Sequence, residues 1–206
     1  MKRILSIVLT CALVTAGPAV ASQLVQNARS QVGVTTSYDS AYRKLAYPGG
    51  DVPMSTGVCT DVLIRAFRGL GLDLQEAVHD DMRRAFQQYP HHWGLRGPDP
   101  NIDHRRVPNL MTYFKRRGWE RERRPRSADF RPGDIVAWNL GGGAAHIGII
   151  SDRKNGAGIP LVIHNIGWGV QEEDILFSFT MIGHYRPKPD VAPFAAPSAA
   201  PMHRRP

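Results

Sequence analysis

Cys59, in the segment GVCTDV, is the residue of this 206-residue sequence best suited to act as a nucleophile. A thiol attacks a carbonyl carbon as the thiolate, and a helix N-terminus or a nearby histidine lowers its pKa. Cys59 is predicted to lie in the first turn of a helix, where unpaired amides favour negative charge. The same amides can bind an oxyanion, and Gly57 would let a substrate approach the backbone. A buried structural cysteine is the alternative.

His146 is the candidate base for this thiol. It follows three glycines and two alanines, which leave room for a substrate, and it opens the predicted strand HIGII beside a cleft, where it can face a helix N-terminus packed on the sheet. A third polar group usually orients such a base, and the next strand offers His164 and Asn165 side by side. If residue 152 pairs with residue 161, Asn165 shares the face of His146, whereas a shift of one residue puts His164 there. Periodicity leaves both registers open.

A long polar loop, residues 90–108, holds further side chains that could contact a substrate. Asp103, His104 and Arg105 either contact the substrate or satisfy one another through internal hydrogen bonds. The alternative is a metal site formed by four donors of this loop, His91, His92, Asp103 and His104. Adjacent histidines lack the four-residue helical spacing of a zinc signature, so we predict no metal and no cofactor.

Hydrophobic periodicity predicts the elements that must position these side chains. Helices are expected over residues 22–32, 58–71, 73–89 and 108–117, with Ser22 and Asp73 as caps. Strands are expected over residues 134–140, 146–152, 161–166 and 175–186. Short connections make these strands antiparallel neighbours. Helices followed by a meander of strands indicate the α+β class.

The two ends of the chain differ in composition from the middle. Residues 1–21 have the charged start, short apolar run and Ala19-Val20-Ala21 cleavage pattern of a signal peptide. We therefore expect an exported protein, periplasmic or secreted, with no integral membrane segment after signal removal. Cys11 would leave with the signal peptide, so Cys59 would have no disulfide partner. Residues 22–186 form one domain, and the Pro/Ala-rich residues 187–206 are predicted to be a disordered tail.

The formal net charge of +8 lies largely in the segment KRRGWERERRPR, residues 115–126. Such a patch can attract anionic polymers, although a solvated helix end and loop gives the same pattern. Because no nucleic-acid-binding motif accompanies it, we predict no nucleic-acid partner, and we expect a monomer.

Together these residues resemble the NlpC-type cell-wall peptidases, a bacterial branch of the papain-like cysteine peptidases. The resemblance runs through Tyr47, the paired glycines 49–50, Cys59, GDIVAW (133–138), HIGII (146–150) and VIHN (162–165). It implies a papain-like fold in which N-terminal helices pack on a C-terminal antiparallel sheet. It also implies Cys59 as nucleophile, His146 as base, His164 rather than Asn165 as the orienting residue, and Tyr47 near the oxyanion site.

A second resemblance, to the YijF-like family of exported bacterial proteins of unassigned function, covers most of residues 30–186. It rests on YPGGDVP, GVCTDV, DPNIDHRRVPNL and RPGDIVAW. Around the cysteine, Val58, Thr60 and Asp61 stand where the peptidases have Asp before it and Ser-Gly after it. We expect an exported thiol hydrolase that cleaves amide bonds in peptidoglycan stem peptides. The alternatives are an amidase or acyltransferase on another cell-envelope substrate, or a non-catalytic cell-wall binding module.

Overall fold

The computed structural model describes residues 16–92, 94, 96–124 and 126–188. Most of the predicted signal peptide, with Cys11, and the predicted tail beyond residue 188 lie outside these residues. The helices are α1 (Ala16–Arg29), α2 (Cys59–Arg68), α3 (Leu74–Ala85) and α4 (Val107–Arg116). None of the helices in this part of the chain is long and apolar enough to cross a membrane.

The strands form two sheets. A small parallel pair joins β1 (Ser37–Tyr38) to β2 (Thr56–Gly57), just before α2. The main sheet contains β3 (Ile135–Asn139), β4 (Ala145–Lys154), β5 (Pro160–Asn165), β6 (Val170–Glu173) and β7 (Thr180–Tyr185). All neighbours in it are antiparallel, in the order β6-β5-β4-β3-β7. The predicted α+β class is confirmed.

The end of the sheet differs from the predicted meander. The strand expected over residues 175–186 is shorter, and it pairs with β3 instead of with its predecessor along the chain. The apolar residues before it form a connection whose Leu176 is fully buried against the sheet, which explains why they resemble a strand. The sequence also missed β6, because its segment VQEE lacks the run of branched and aromatic residues typical of strands.

The main sheet is buried on both faces, and this decides which way each side chain points. One face packs under the helices through side chains from the three central strands, Ile135, Ala137, Ile147, Ile149 and Ile163. The opposite face is covered by Phe130 and Leu176 and carries Val136, Trp138, Ile150 and Val162. Because side chains alternate along a strand, residues 146 and 148 share this second face with Ile150.

The helix ends agree with the sequence in most places. The helix predicted to begin near Cys59 does so, and Asp73 caps α3 by accepting a hydrogen bond from the amide of Gln75 at 3.0 Å. Pro108 lies in the first turn of α4, and Gly118 follows that helix with a φ of 66°. The exception is α1, which begins at Ala16, so Ser22 lies inside that helix and does not cap it.

Candidate active site

The candidate nucleophile Cys59 is the first residue of α2 and one wall of a cavity of about 240 Å³. Its side chain is largely buried, with the residue 4% exposed. The thiol accepts a hydrogen bond from the amide of Ile147, the residue that follows His146 in β4. The packing of α2 against β4 therefore brings the thiol to the start of the strand that carries the candidate base.

A buried ion pair stabilises the first turn of α2. The Asp61 carboxylate accepts a hydrogen bond from the amide of Val58 at 2.6 Å, reaching back to the residue before the helix. Arg105 donates two bonds to the same carboxylate, at 3.0 and 2.9 Å, and Thr60 Oγ1 donates to the Arg105 carbonyl at 3.1 Å. The residues that differ from the peptidase pattern thus hold the turn 103–105 against the start of α2.

His146 and His164 lie side by side on neighbouring strands. Nε2 of His146 is 3.0 Å from Nδ1 of His164, and both side chains are buried. Here Ile149 pairs with Ile163 and Ile150 with Val162, which puts His164 opposite Gly148 and on the face of His146. The pairing that would align residues 148 and 165 does not form here; the register shifts only farther along β4, between Ile150 and Lys154, and beyond that shift Lys154 pairs with Pro160.

Asn165 therefore lies on the opposite face of the sheet from His146. Its Nδ2 donates hydrogen bonds to the carbonyls of Gly57, at 3.0 Å, and Ser37, at 3.3 Å. These bonds tie the end of β5 to both strands of the small sheet that precedes Cys59. Asn165 thus positions the segment before the thiol and does not contact the candidate base.

The approach of His146 to the thiol differs from the expected one. The imidazole stacks against Trp138, with ring centroids 5.8 Å apart, on the sheet face turned away from α2. Because Nε2 is engaged with His164, Nδ1 is the nitrogen left to take a proton. Nδ1 is bonded to Cγ and so lies on the main-chain side of the ring. In the described part of the chain, no hydrogen bond joins the thiol to the imidazole.

Glu173, which sequence reasoning missed, continues the row of polar groups. Its Oε2 is 3.0 Å from Nε2 of His164, and its side chain is 47% exposed. The row therefore runs from His146 to a carboxylate at the protein surface. The sequence signal was the run of acidic residues 172–174, and its position beside His164 becomes clear only once β6 is known to pair with β5.

Burial keeps the thiol and the imidazoles neutral in this structure. It raises the pKa of Cys59 to about 12, and the charge of Asp61 adds to this, while the amides of Ile147 and Thr60 oppose it. Burial and the neighbouring His164 lower the pKa of His146 to about 3. Burial also lowers the pKa of His164, whereas the negative charge of Glu173 raises it. The predicted lowering of the thiol pKa is wrong, because desolvation outweighs the helix N-terminus.

Tyr47 does not lie beside Cys59. Its ring packs edge-on against His79 of α3, with centroids 5.1 Å apart, and it does not line the cavity. Tyr38 of β1 does line the cavity with Cys59. Burial, together with the nearby thiol, raises the pKa of Tyr38 to about 12, so the phenol stays protonated and able to donate. The sequence signal for Tyr38 was weak, since it lay in an extended segment without a motif.

The predicted substrate loop is only partly at the cavity. Its 3-10 turn, Asp103–Arg105, is buried, and of these three residues Arg105 lines the cavity. His91, one of the alternative metal donors, instead packs edge-on against Phe86 at 4.8 Å. Among the described residues, no three acidic, histidine or cysteine side chains come together in a way that could hold a metal ion.

Comparison with known proteins shows the family. Residues 25–187 match the family described as "Domain of unknown function (DUF1287)", and the chain belongs to it. The chain is 55% identical over 163 residues to "Uncharacterized protein YijF" of Escherichia coli (strain K12). This match covers 79% of the chain and 80% of that relative. The YijF-like resemblance of the sequence is confirmed.

Proposed function

We propose that this member of the DUF1287 family is a thiol hydrolase, with Cys59 as nucleophile, His146 as base and His164 as the residue that orients the base. One observation carries the proposal: the thiol accepts a hydrogen bond from the amide of Ile147, the residue after His146, and Nε2 of His146 is 3.0 Å from Nδ1 of His164. This is the order of groups that nucleophilic catalysis needs, namely nucleophile, base and orienting group.

In the first half of the reaction, Nδ1 of His146 takes the thiol proton as sulfur attacks the carbonyl carbon of an amide. The imidazolium that forms donates from Nε2 to His164, which donates from its own Nε2 to Glu173. When the tetrahedral intermediate collapses, the C–N bond breaks, and the imidazolium gives its proton to the leaving amine. A thioester on Cys59 remains.

In the second half, water attacks the thioester while Nδ1 of His146 takes a proton from it. The C–S bond then breaks, the carboxylic acid leaves and the proton returns to sulfur, which restores the neutral pair. The amide of Cys59, at the start of α2, and the phenol of Tyr38 are the donors available to the oxyanion.

The neutral resting pair fits a mechanism in which thiolate and imidazolium form together. Each ion favours the other once both exist, so their pKa values shift towards each other when the ion pair forms. Catalytic hydrogen bonds are often long in the absence of substrate and shorten when it binds. Filling the cavity with substrate would also remove the water that competes for these contacts.

The proposed fold family and substrate follow from the likeness to the NlpC-type, papain-like peptidases. That likeness, with the export predicted from residues 1–21, supports amide bonds in peptidoglycan stem peptides as the target. An amidase or acyltransferase on another cell-envelope substrate would use the same residues and differ in its products. Export itself can be tested by cell fractionation with the native leader and with residues 1–21 removed.

The test is incubation of the purified mature protein with peptidoglycan and with defined stem peptides, followed by mass spectrometry of the products. We expect new amine and carboxylate termini with the wild type and none with Cys59→Ala. His146→Gln should lower the rate by about 10²–10⁴-fold, as expected for loss of a general base. The control is His91→Gln, an exposed histidine that packs on Phe86. If Cys59→Ala digests peptidoglycan as fast as the wild type does, Cys59 is not the nucleophile.

A second candidate, a non-catalytic cell-wall binding module, is favoured by the burial of the thiol and the raised pKa of Cys59. It predicts that iodoacetamide alkylates Cys59 no faster than it alkylates glutathione at pH 7. It also predicts retention on insoluble peptidoglycan that is the same for wild type and Cys59→Ala. A faster alkylation that is lost in His146→Gln would support the hydrolase instead.

A further inference from the structure

An uncharged surface lies next to the cavity of the candidate site. It is formed by three segments, residues 30–38, 52–60 and 163–171, none of which contains Asp, Glu, Lys or Arg, although 21% of the chain is charged. The first two segments are joined by the small sheet of β1 and β2. The third meets them through a hydrogen bond from the Val170 amide to the Thr35 carbonyl at 2.8 Å. The exposed side chains of these three segments are called the uncharged patch below.

Exposed apolar side chains are concentrated in the uncharged patch. Among the described residues, nine large hydrophobic side chains are exposed, and six of them belong to the patch: Val32, Val34, Tyr38, Met54, Ile166 and Trp168. Single exposed hydrophobic residues are common on protein surfaces, whereas a group of them marks a binding surface. The same segments also expose the hydroxyl or amide side chains of Thr36, Ser37, Ser55 and Gln171. The patch therefore offers apolar contacts and neutral hydrogen-bonding groups together.

Trp168 is the most exposed of these side chains, at 85%, yet its main chain is firmly held. The amide of Gly167 donates to Oδ1 of Asn165 at 3.2 Å. Gly169 is packed so closely that a Cβ there would lie 2.4 Å from the Thr35 carbonyl oxygen. The indole therefore projects into solvent from a loop that is fixed on both sides. A ligand that binds the indole need not order this loop, which lowers the entropic cost of binding.

Tyr38 connects the uncharged patch to the cavity. It is 42% exposed, and it lines the cavity together with Cys59. Ser40, two residues after Tyr38, also lines the cavity. Patch and cavity are therefore continuous, so one polymeric ligand can contact both.

The distribution of charge indicates which kind of ligand fits. Anionic lipids and polymers bind where Lys and Arg cluster, and that cluster, residues 115–126, contains Glu120, which bridges to Tyr185 of β7. It thus lies at the opposite edge of the main sheet from β6, which begins beside the patch. An uncharged sugar fits the patch better. Its C–H groups pack on the negative face of an indole, and its hydroxyl and acetamido groups exchange hydrogen bonds with hydroxyl and amide side chains.

Resting on the proposed hydrolase function, we infer that the uncharged patch binds the glycan strand of peptidoglycan, with the pyranose ring of an N-acetylated amino sugar stacked on Trp168. The sugars of this strand are uncharged where a stem peptide is attached. The attached stem peptide extends past Tyr38 into the cavity beside Cys59. The enzyme therefore prefers stem peptides that are attached to glycan over free ones.

The first test measures sugar binding without catalysis. Cys59→Ala is titrated with the soluble tetramer of N-acetylglucosamine, and binding is followed by isothermal titration calorimetry. We expect saturable binding that added salt leaves unchanged, because the ligand is uncharged. Cys59→Ala/Trp168→Ala should bind about tenfold more weakly, the size of the loss of one stacked ring.

Matched variants assign the effect to Trp168. Trp168→Tyr in the Cys59→Ala background keeps an aromatic face and should retain part of the affinity. Phe177→Ala in the same background is the control, since Phe177 is a 41% exposed aromatic residue that packs against Phe130, outside the patch. Because Trp168 is exposed, its substitution should leave the Tm unchanged. Equal affinity with and without the indole overturns the inference.

Two other occupants of the patch predict different results. A lipid surface predicts binding to phosphatidylcholine vesicles that is lost in Trp168→Ala. A second copy of the chain predicts a dimer in analytical ultracentrifugation that is lost in the same variant. Either result, found without sugar binding, overturns the inference.

The cleavage assay separates this inference from the proposed function. With stem peptides attached to glycan, Trp168→Ala should raise KM about tenfold and leave kcat unchanged, whereas with free stem peptides it should change neither. Cleavage by the wild type that Trp168→Ala leaves unchanged on both substrates refutes the glycan site and not the hydrolase. Sugar binding that depends on Trp168, in a protein that cleaves neither substrate, supports the glycan site and refutes the hydrolase.

Discussion

Nε2 of His146 lies 3.0 Å from Nδ1 of His164, and this contact joins neighbouring strands on the sheet face turned away from α2. The thiol of Cys59 contacts the amide of Ile147, the next residue of the same strand, which packs with Cys59 in the core beneath the helices. The geometry of the candidate site therefore depends on the register between β4 and β5.

Glu173→Gln tests whether the surface carboxylate supports the histidine pair. Glu173 raises the pKa of His164 against the effect of burial, so its removal makes the protonated form of the pair less favourable. We expect the acid limb of the rate–pH profile to move to lower pH and the plateau rate to fall about tenfold. The measurement is the pH profile of stem-peptide cleavage or Cys59 alkylation.

The control for this prediction is Glu120→Gln, which removes an exposed carboxylate that lies 3.8 Å from Lys115. Its profile should match the wild type. A role for Glu173 in stability alone would lower the Tm without moving the acid limb.

Gly148→Ala tests whether the space opposite His164 is needed. A Cβ at this position would lie 2.7 Å from Val162 Cγ1 and 3.1 Å from the Cβ of His164. We expect a loss of about 1–3 kcal/mol in the free energy of unfolding, together with slower alkylation of Cys59. Gly156→Ala, in the turn between β4 and β5, is the control because its Cβ would meet nothing within 4 Å. Equal results for the two variants would contradict the prediction.

Asp61→Asn tests the ion pair beneath the first turn of α2. The side chains of Arg105 and Asp61 are 2% and 4% exposed, so the substitution leaves a buried guanidinium without its carboxylate. We expect a loss of about 3–5 kcal/mol in the free energy of unfolding, measured in denaturant. Asp129→Asn, which breaks the surface pair with Arg126, should change stability little. A small loss in Asp61→Asn would show that this buried pair contributes little to stability.

His104→Leu tests the effect of a buried histidine on the pH dependence of stability. Burial lowers the pKa of His104 from 6.5 to about 4, and its Nδ1 is buried without a partner. Between these values the unfolded chain binds more protons, so the wild type loses up to about 3 kcal/mol from His104 as the pH falls. His104→Leu should remove this part of the loss, as measured by denaturant unfolding at pH 7 and pH 4.5.

The neighbouring Asp103 also makes the stability depend on pH. Burial raises the pKa of Asp103 to about 6, an effect of opposite sign, because the folded state then holds a proton that the unfolded carboxyl releases. This contribution is the same in wild type and His104→Leu, so it cancels in the comparison. His91→Gln, at an exposed position, should keep the wild-type slope, and an unchanged slope in His104→Leu would contradict the prediction.

Tyr38→Phe and Tyr47→Phe test which tyrosine donates a hydrogen bond to the oxyanion, Tyr38 at the cavity or Tyr47, which the resemblance to the peptidases implied. Tyr38 lines the cavity with Cys59, whereas Tyr47 packs on His79 of α3. If the phenol of Tyr38 donates to the oxyanion, its removal should lower kcat by about 10²-fold with little change in KM. Tyr47→Phe should leave kcat near the wild-type value, and the reverse pattern would restore the original assignment.

Local sequence was enough to predict the start of α2 at Cys59, the cap at Asp73 and the α+β class. These follow from short-range rules, since caps, turns and periodicity depend on residues a few positions apart. The order of the strands was harder. The return of β7 to β3 depends on contacts between distant parts of the chain, and the buried Leu176 connection has the same apolar composition as a strand.

The sequence by itself determined which residue types were available: a cysteine at a predicted helix start, a histidine at a strand start, and a His-Asn pair on the next strand. Only the tertiary structure decided how they meet. A shift of one residue in strand pairing exchanges the two faces of a sheet, and the pairing that forms gives His164 to His146 and Asn165 to Gly57. Burial, which no local pattern reveals, likewise decided that the thiol rests neutral.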